Sequence, residues 1–206
     1  MQMTLSRRRP ALWAIIAVIL ASAGVVWVVP RLFESDAGTA PEEVVSVGSA
    51  MRATLLEVAD RYLEKNSARV GTVLASEKPE LNPKLFCDEE LIEVRRRDPQ
   101  LLLGLVAWCE ELARSGNVLI EGGGAITPLL LAVQPADGHF SVVQVKESED
   151  GALSVPSIRK MFSPDGAPQA LELSGAGRET SDALREEARW TFGLPLDAPV
   201  TFPSVG

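Results

Sequence analysis

Hydrophobic and polar positions divide the chain into regions of different character. From Ala11 to Val29 no charged residue occurs, and Leu12, Ile15, Ile16, Val18, Ile19 and Leu20 would cover every side of a helix. A helix that is apolar all round belongs in lipid or deep inside a large core. Nineteen helical residues reach about 28 Å, close to the hydrocarbon thickness of a bilayer. Pro10 and Pro30 close the run, and Trp13 and Trp27 stand near its ends, where indole rings favour the headgroup region. The pattern predicts one transmembrane helix over 11–29.

Residues 30–46 lose periodicity. Ser35, Gly38, Thr39 and Pro41 mark a linker with scattered acids. Met51, Leu55, Val58 and Tyr62 then recur at spacings of 4, 3 and 4, the face of an amphipathic helix from Gly48 to Asn66. Residues 67–86 hold a short apolar group, Val70, Val73 and Leu74, followed by a loop enforced by Pro79 and Pro83. Leu101 to Ala113 is the most apolar stretch after the membrane segment. Such a run fits a strand or a helix, and the three shorter strand candidates that follow favour a central strand. They are Asn117–Glu121, Ile126–Gln134 and His139–Lys146. In the last, His139, Ser141, Val143 and Val145 alternate with Phe140, Val142, Gln144 and Lys146. Pro135-Ala136-Asp137-Gly138 is a hairpin turn, and Pro128 demands a strand start, an edge or a bulge.

Two short helices are predicted nearer the C-terminus. One carries Pro156 in its first turn, with Ser154 as a cap, and ends near Phe162. The other spans Asp182 to Phe192, capped by Ser181 and stopped by Gly193 and Pro195. Residues 163–180 read as loop with one strand at Ala170–Leu173, and 194–206 as a Pro-rich tail. The fold class is therefore α+β. An N-terminal transmembrane helix precedes one domain, 47–193, in which a long helix packs on an antiparallel sheet of about four strands. This order resembles cystatin-like or nuclear-transport-factor-2-like architectures, a likeness that carries no function.

Composition narrows the functional classes. The 206 residues include 20 Lys+Arg and 28 Asp+Glu, a net charge of −8, and the region from Val47 on carries that same excess. Such acidity argues against nucleic-acid binding. It also argues against adhesion of the domain to an anionic bilayer surface. Charge orients the span as well. Arg7, Arg8 and Arg9 precede it without an acid, while Glu34, Asp36, Glu42 and Glu43 follow. The positive-inside rule places residues 1–10 in the cytoplasm and the domain outside. Ala21-Ser22-Ala23 has the form of a signal-peptidase site, so a cleaved, secreted product is an alternative. Val25 to Val29 continue the apolar run beyond it and favour an uncleaved anchor. Ser6-Arg7-Arg8 offers a minor twin-arginine route.

Few residues carry chemistry. Cys87 and Cys109 stand in a segment expected to meet an oxidising compartment, which predicts a disulfide. Closing a loop of that length contributes about 3 kcal/mol in the loop-entropy account. Gly122-Gly123-Gly124 lacks the Lys and Ser/Thr of a phosphate loop and reads as a turn between strands. His139 is the sole histidine, so sites needing two are excluded, and an envelope hydrolase using it as base is an alternative function. The acids Asp88-Glu89-Glu90 and Glu147, Glu149, Asp150 lack calcium-loop spacing. Arg95-Arg96-Arg97 suits either an anionic envelope polymer or a strand end with local ion pairs. No residue pattern implies a metal or cofactor.

Three segments carry a family likeness: Ala107-Trp108-Cys109-Glu110-Glu111, Thr127-Pro128-Leu129-Leu130, and Pro156-Ser157-Ile158-Arg159-Lys160-Met161-Phe162. Across residues 87–165 the chain resembles small uncharacterised membrane-anchored or lipoprotein domains of the Gram-positive bacterial envelope. It departs from them in having no lipid-attachment cysteine. The resemblance implies an exported single domain and carries over no catalytic residue. The expected function is binding or protein interaction at the envelope by a single-pass, membrane-anchored domain, with an envelope protein or ligand as partner.

Overall fold

A computed structural model describes residues 42–66, 72–175 and 181–203. The predicted span 11–29, its flanking Arg7, Arg8 and Arg9, and the Ala21–Ala23 cleavage site lie outside the described residues. Among the described residues no helix is long and apolar enough to cross a membrane.

The fold is a mixed α+β arrangement around a six-stranded sheet. Five strands run in order as an antiparallel meander: β1 (Glu43–Val44), β2 (Lys84–Arg97), β3 (Gln100–Ser115), β4 (Val118–Ala136) and β5 (His139–Glu147). A last short strand, β6 (Val200–Thr201), lies parallel to β4 beside Leu119 and Ile120. The helices are α1 (Ser49–Lys65), α2 (Val73–Glu77), α3 (Ser154–Met161), α4 (Gly166–Gly175) and α5 (Ser181–Phe192).

The sheet is covered on both faces, not on one as the sequence suggests. On one face α1 buries Leu55, Ala59 and Leu63 against Leu85, Cys87, Leu91, Leu103, Leu105, Leu129 and Leu131. The helical stripe is rotated from its expected position, and Met51 stays 40% exposed. On the other face Val106 and Trp108 pack against Ile158, Met161, Phe162 and Ala170 of the α3–α4 region. Nearby, Phe86, Leu112 and Leu119 pack against Leu184 and Ala188 of α5. With helices on both sides, β3 is buried along most of its length, which explains its unbroken apolar run.

Several elements differ from expectation. The end of the presumed linker is structured: Glu43–Val44 pair with Arg96 and Arg95, and Val45 and Val47 join the core. In the presumed tail, Leu194 and Ala198 are buried, and β6 follows them. Of strand β2 the sequence reading offers only the end, at Arg95–Arg97, because charges mask the alternation of Leu85, Cys87 and Leu91 before it. The proposed strand at 170–173 lies within helix α4. Pro168 falls in its first turn, where the missing N–H costs nothing. Ser154 is the first residue of α3, not its cap, and Leu153 precedes it. Gly193 ends α5 at φ +64°, and the N–H of Leu194 turns back to Arg189 O at 2.8 Å.

The glycine run is not a turn, since β4 passes through it without a break. Opposite Glu110–Leu112 the register slips, and two glycines face the single residue Glu111. A Cβ on Gly122 would lie 2.5 Å from Glu111 Oε2 and 2.8 Å from Leu74 Cγ. Glu111, 1% exposed, accepts the Leu74 and Ala75 N–H groups at 2.7 and 2.8 Å and anchors the start of α2. A second bulge at Val143 breaks the alternation expected in β5. Phe140, Val142 and Val145 therefore share the core side while Val143 is 45% exposed. The hairpin turn is the two residues Asp137 and Gly138, both at positive φ. Pro128 has Val106 on one side. On the other, its carbonyl accepts Ser148 N–H just past the end of β5. Its absent N–H thus faces the side where that strand has stopped. Between β6 and β5, residues 121–127 of β4 have no strand on that side among the described residues.

Candidate functional site: a cationic groove on the sheet

A third bulge, at Ile92, decides where the arginines point. Leu91 opposes Leu105, yet Glu93 opposes Gly104, so one extra residue shifts the phase of β2. Glu93, Arg95 and Arg97 consequently lie on the α3–α4 face, while exposed Arg96 turns to the other. The predicted arginine run is thus split. Arg95, Leu102, Ala132 and Gln144 form one row across four strands, and Leu130 and Lys146 stand opposite each other in the next. Lys160 and Met161 at the end of α3 close one side. The result is a groove of about 170 Å³ with an apolar floor and a rim of Arg95, Arg97, Lys146 and Lys160. A second depression of about 200 Å³ adjoins it, sharing Lys146 and Lys160 and reaching Ser157, Leu153 and Pro156.

Arg95 is held from three directions. Its Nη1 lies 2.7 Å from Glu42 Oε2, its Nη2 donates to Met161 O at 2.7 Å, and its Nε lies 3.2 Å from Glu93 Oε1. Glu93 also accepts the Ser163 N–H at 3.0 Å and the Ser163 hydroxyl, and Ser163 Oγ accepts the Gly166 N–H at 3.0 Å. Glu93 thereby anchors the start of α4. Close approach by its side chain needs bare backbone beneath: a Cβ on Gly104 would sit 2.9 Å from Glu93 Cγ. Arg97 donates to Gln100 Oε1 at 2.9 Å, with its Nη1 3.8 Å from Glu42 Oε1. Lys146 and Lys160 are exposed. In the first groove four cations face the carboxylates of Glu42 and Glu93, and Glu147 and Glu149 line the adjoining depression that shares Lys146 and Lys160.

The opposite electrostatic extreme lies at the other side of β2. Beyond the reach of β1, this strand is the sheet edge, and α1 seals it. Arg52 Nη2 donates to Leu91 O at 2.5 Å, and Glu64 accepts a backbone hydrogen bond from Cys87. Glu89, Glu64, Asp60, Asp88 and Glu187 approach one another there. Burial, reinforced by Asp60 and Asp88, pushes Glu89 up to about 8. Burial and Asp60 push Glu64 up to about 7, and burial raises Asp60 and Glu187 as well. Among the described residues no group of three acidic, histidine or cysteine side chains is arranged to hold a metal ion.

The remaining sequence-derived residues fall elsewhere. Cys87 and Cys109 are directly opposed on β2 and β3, 4.1 Å apart at Cα, and form the expected disulfide beneath α1. His139 stands exposed at the start of β5. Its Nδ1 lies 3.3 Å from the carbonyl oxygen of Asp137, not from a carboxylate or hydroxyl. The strand end with local ion pairs expected at 95–97 is present, Arg95 pairing with Glu93, whereas the sequence reading gives Lys146, Lys160 and Glu42 no part in a site. Comparison of the chain with protein-family models, with curated proteins and with solved structures finds no match.

Proposed function

We propose that this protein is an extracytoplasmic binding domain, tethered by the span at 11–29, whose groove takes a phosphate-sized oxyanion group on a small partly apolar ligand. The observation that carries the reading is the convergence of Arg97, Lys146 and Lys160 over the floor of Leu102, Leu130 and Ala132. A guanidinium fork matches a phosphate or carboxylate edge, and ammonium groups add charge without fixing geometry. The buried Arg95–Glu93–Ser163 network holds the wall rigid, so little ordering is needed on binding. An exported cystatin-like or nuclear-transport-factor-2-like layer of the Gram-positive envelope is the setting that the sequence suggests. A tether would keep such a site at high effective concentration near the membrane. The hydrolase alternative gains nothing from the exposed position of His139.

Titration calorimetry of the full-length chain in nonionic detergent, with inorganic phosphate at low ionic strength, tests the proposal. Binding should weaken with added salt. The double variant Lys146→Gln/Lys160→Gln should lose about tenfold or more, the scale of one or two charge-assisted hydrogen bonds. Absence of binding by the native chain, or unchanged affinity in the double variant, overturns the reading.

A further inference from the structure

One carboxylate already occupies the place where an anion would sit. Glu42 sends Oε2 to Arg95 at 2.7 Å and Oε1 toward Arg97 at 3.8 Å, with its side chain 26% exposed. It immediately precedes β1, the shortest attachment in the meander. That strand has two residues, paired at Glu43–Arg96 and Val44–Arg95, and is followed by one further bond from Val45 N–H to Val94 O at 2.8 Å. The groove rim and the fastening of the N-terminal strand thus share the same guanidinium groups.

We propose that Glu42 is an internal stand-in for the ligand, and that an oxyanion entering the groove displaces it and loosens β1 from β2. The inference rests on the anion-site reading above and adds its regulation. The energetic argument is competition. Arg95 lies at the wall with Met161 O and Glu93 holding two of its nitrogens, so Nη1 is the donor left for either Glu42 or a ligand oxygen. Arg97 is bound to Gln100 through Nη2 and is only loosely engaged by Glu42. A dianion meeting Arg97, Lys146 and Lys160 gains contacts that Glu42 does not make. Once Glu42 is expelled, the segment keeps two paired residues, one further hydrogen bond and the partly buried Val45 and Val47, but loses the ion pair that fastens its start. Linkage then runs both ways: a docked β1 weakens anion binding by the factor by which the anion weakens docking.

The experiment uses the full-length chain in nonionic detergent, with inorganic phosphate as probe. Glu42→Gln keeps the shape of the side chain and removes its charge. It should bind phosphate about fivefold or more tightly than the native chain, the lower range of measured couplings. Glu149→Gln, which removes the same charge beside the adjoining depression and touches neither Arg95 nor Arg97, should change affinity by less. In the native chain, saturating phosphate should speed hydrogen exchange at the amide of Val45, and it should leave the amides of β3 unchanged. Equal gains in the two variants would reduce the effect to net charge and overturn the inference, as would unaltered exchange at Val45. If the native chain binds phosphate through Lys146 and Lys160 without these couplings, only the displacement is wrong. If neither the native chain nor Glu42→Gln binds phosphate, the anion-site reading falls with it.

Discussion

Replacing Glu89 with Gln should make the protein more stable at alkaline pH, although the change deletes a carboxylate and adds no contact. Glu89 stands opposite Ala107 on the α1 face of β2, and its Oε1 is buried with no hydrogen-bond partner among the described residues. Burial, then the charges of Asp60, Asp88, Glu64 and Glu187, lift it from 4.5 to about 8. Between those two values the folded chain keeps a proton that the unfolded chain has released. Stability therefore falls as pH rises through this window and levels off above the folded value. One pKa unit corresponds to about 1.4 kcal/mol, so the full interval bounds the effect near 5 kcal/mol. Solvent at the sheet edge screens part of the penalty, leaving an expected loss of about 2 kcal/mol between pH 5 and 8. Glu89→Gln holds the neutral shape at every pH. Urea unfolding of the full-length chain, followed by far-ultraviolet circular dichroism at constant ionic strength, should show native and variant within about 0.5 kcal/mol at pH 5. At pH 8 the variant should lead by about 2 kcal/mol. A residual slope in both reflects Glu64, which titrates near 7. A variant less stable than the native chain at pH 8, or one with the native slope, would refute the argument that an unpartnered buried carboxylate opposes folding here.

Other outcomes follow from the same packing. Gly122→Ala should destabilise by about 1–3 kcal/mol, because the new methyl meets Glu111 and Leu74 and the bulge has no room to yield. Chemical denaturation measures it, and a neutral result would mean that α2 moves aside freely. Cys87→Ser/Cys109→Ser should lower stability by about 3 kcal/mol. Mass spectrometry of the native protein treated with alkylating reagent should show no modified cysteine until reductant is added. Modification of both thiols before any reductant is added would contradict the bond. The losses expected for Lys146→Gln/Lys160→Gln and the gain for Glu42→Gln complete the set.

What could be read from the sequence follows a physical division. Elements governed by one periodicity were legible. The spacing of Leu55 and Val58 marked α1, the apolar run at 101–113 marked the central strand, and Asp137-Gly138 marked the hairpin. Helix α5 was legible because its stop residues, Gly193 and Pro195, are local signals. Elements governed by register were not. Each of the three bulges, at Ile92, at the glycines and at Val143, inserts one residue and reverses every later side chain. The groove exists only because the first of them turns Arg95 and Arg97 toward α3. Most of strand β2 was hidden because its charges, apart from the local Arg95–Glu93 pair, have partners distant in sequence: Glu42, Ser163 and Arg52. Helix α4 was hidden by Gly166 and Pro168, which read as loop residues; Gly166 is needed where Glu93 approaches and Ser163 caps the helix start, and Pro168 is tolerated in the first turn.

Residues 121–127 of β4, which have no strand beside them on the β5 side among the described residues, have a consequence for association between copies. An open ladder is the usual template for growth of one sheet onto the next. Here the window spans only residues 121–127, hemmed by β6 before it and β5 after it. It contains the glycine bulge and is followed by Pro128, which offers no donor. Its first residue, Glu121, is held at 2.7 Å by Arg185. A neighbouring chain would find too few evenly spaced groups to zip against, so this stretch of β4 makes a poor template for sheet growth.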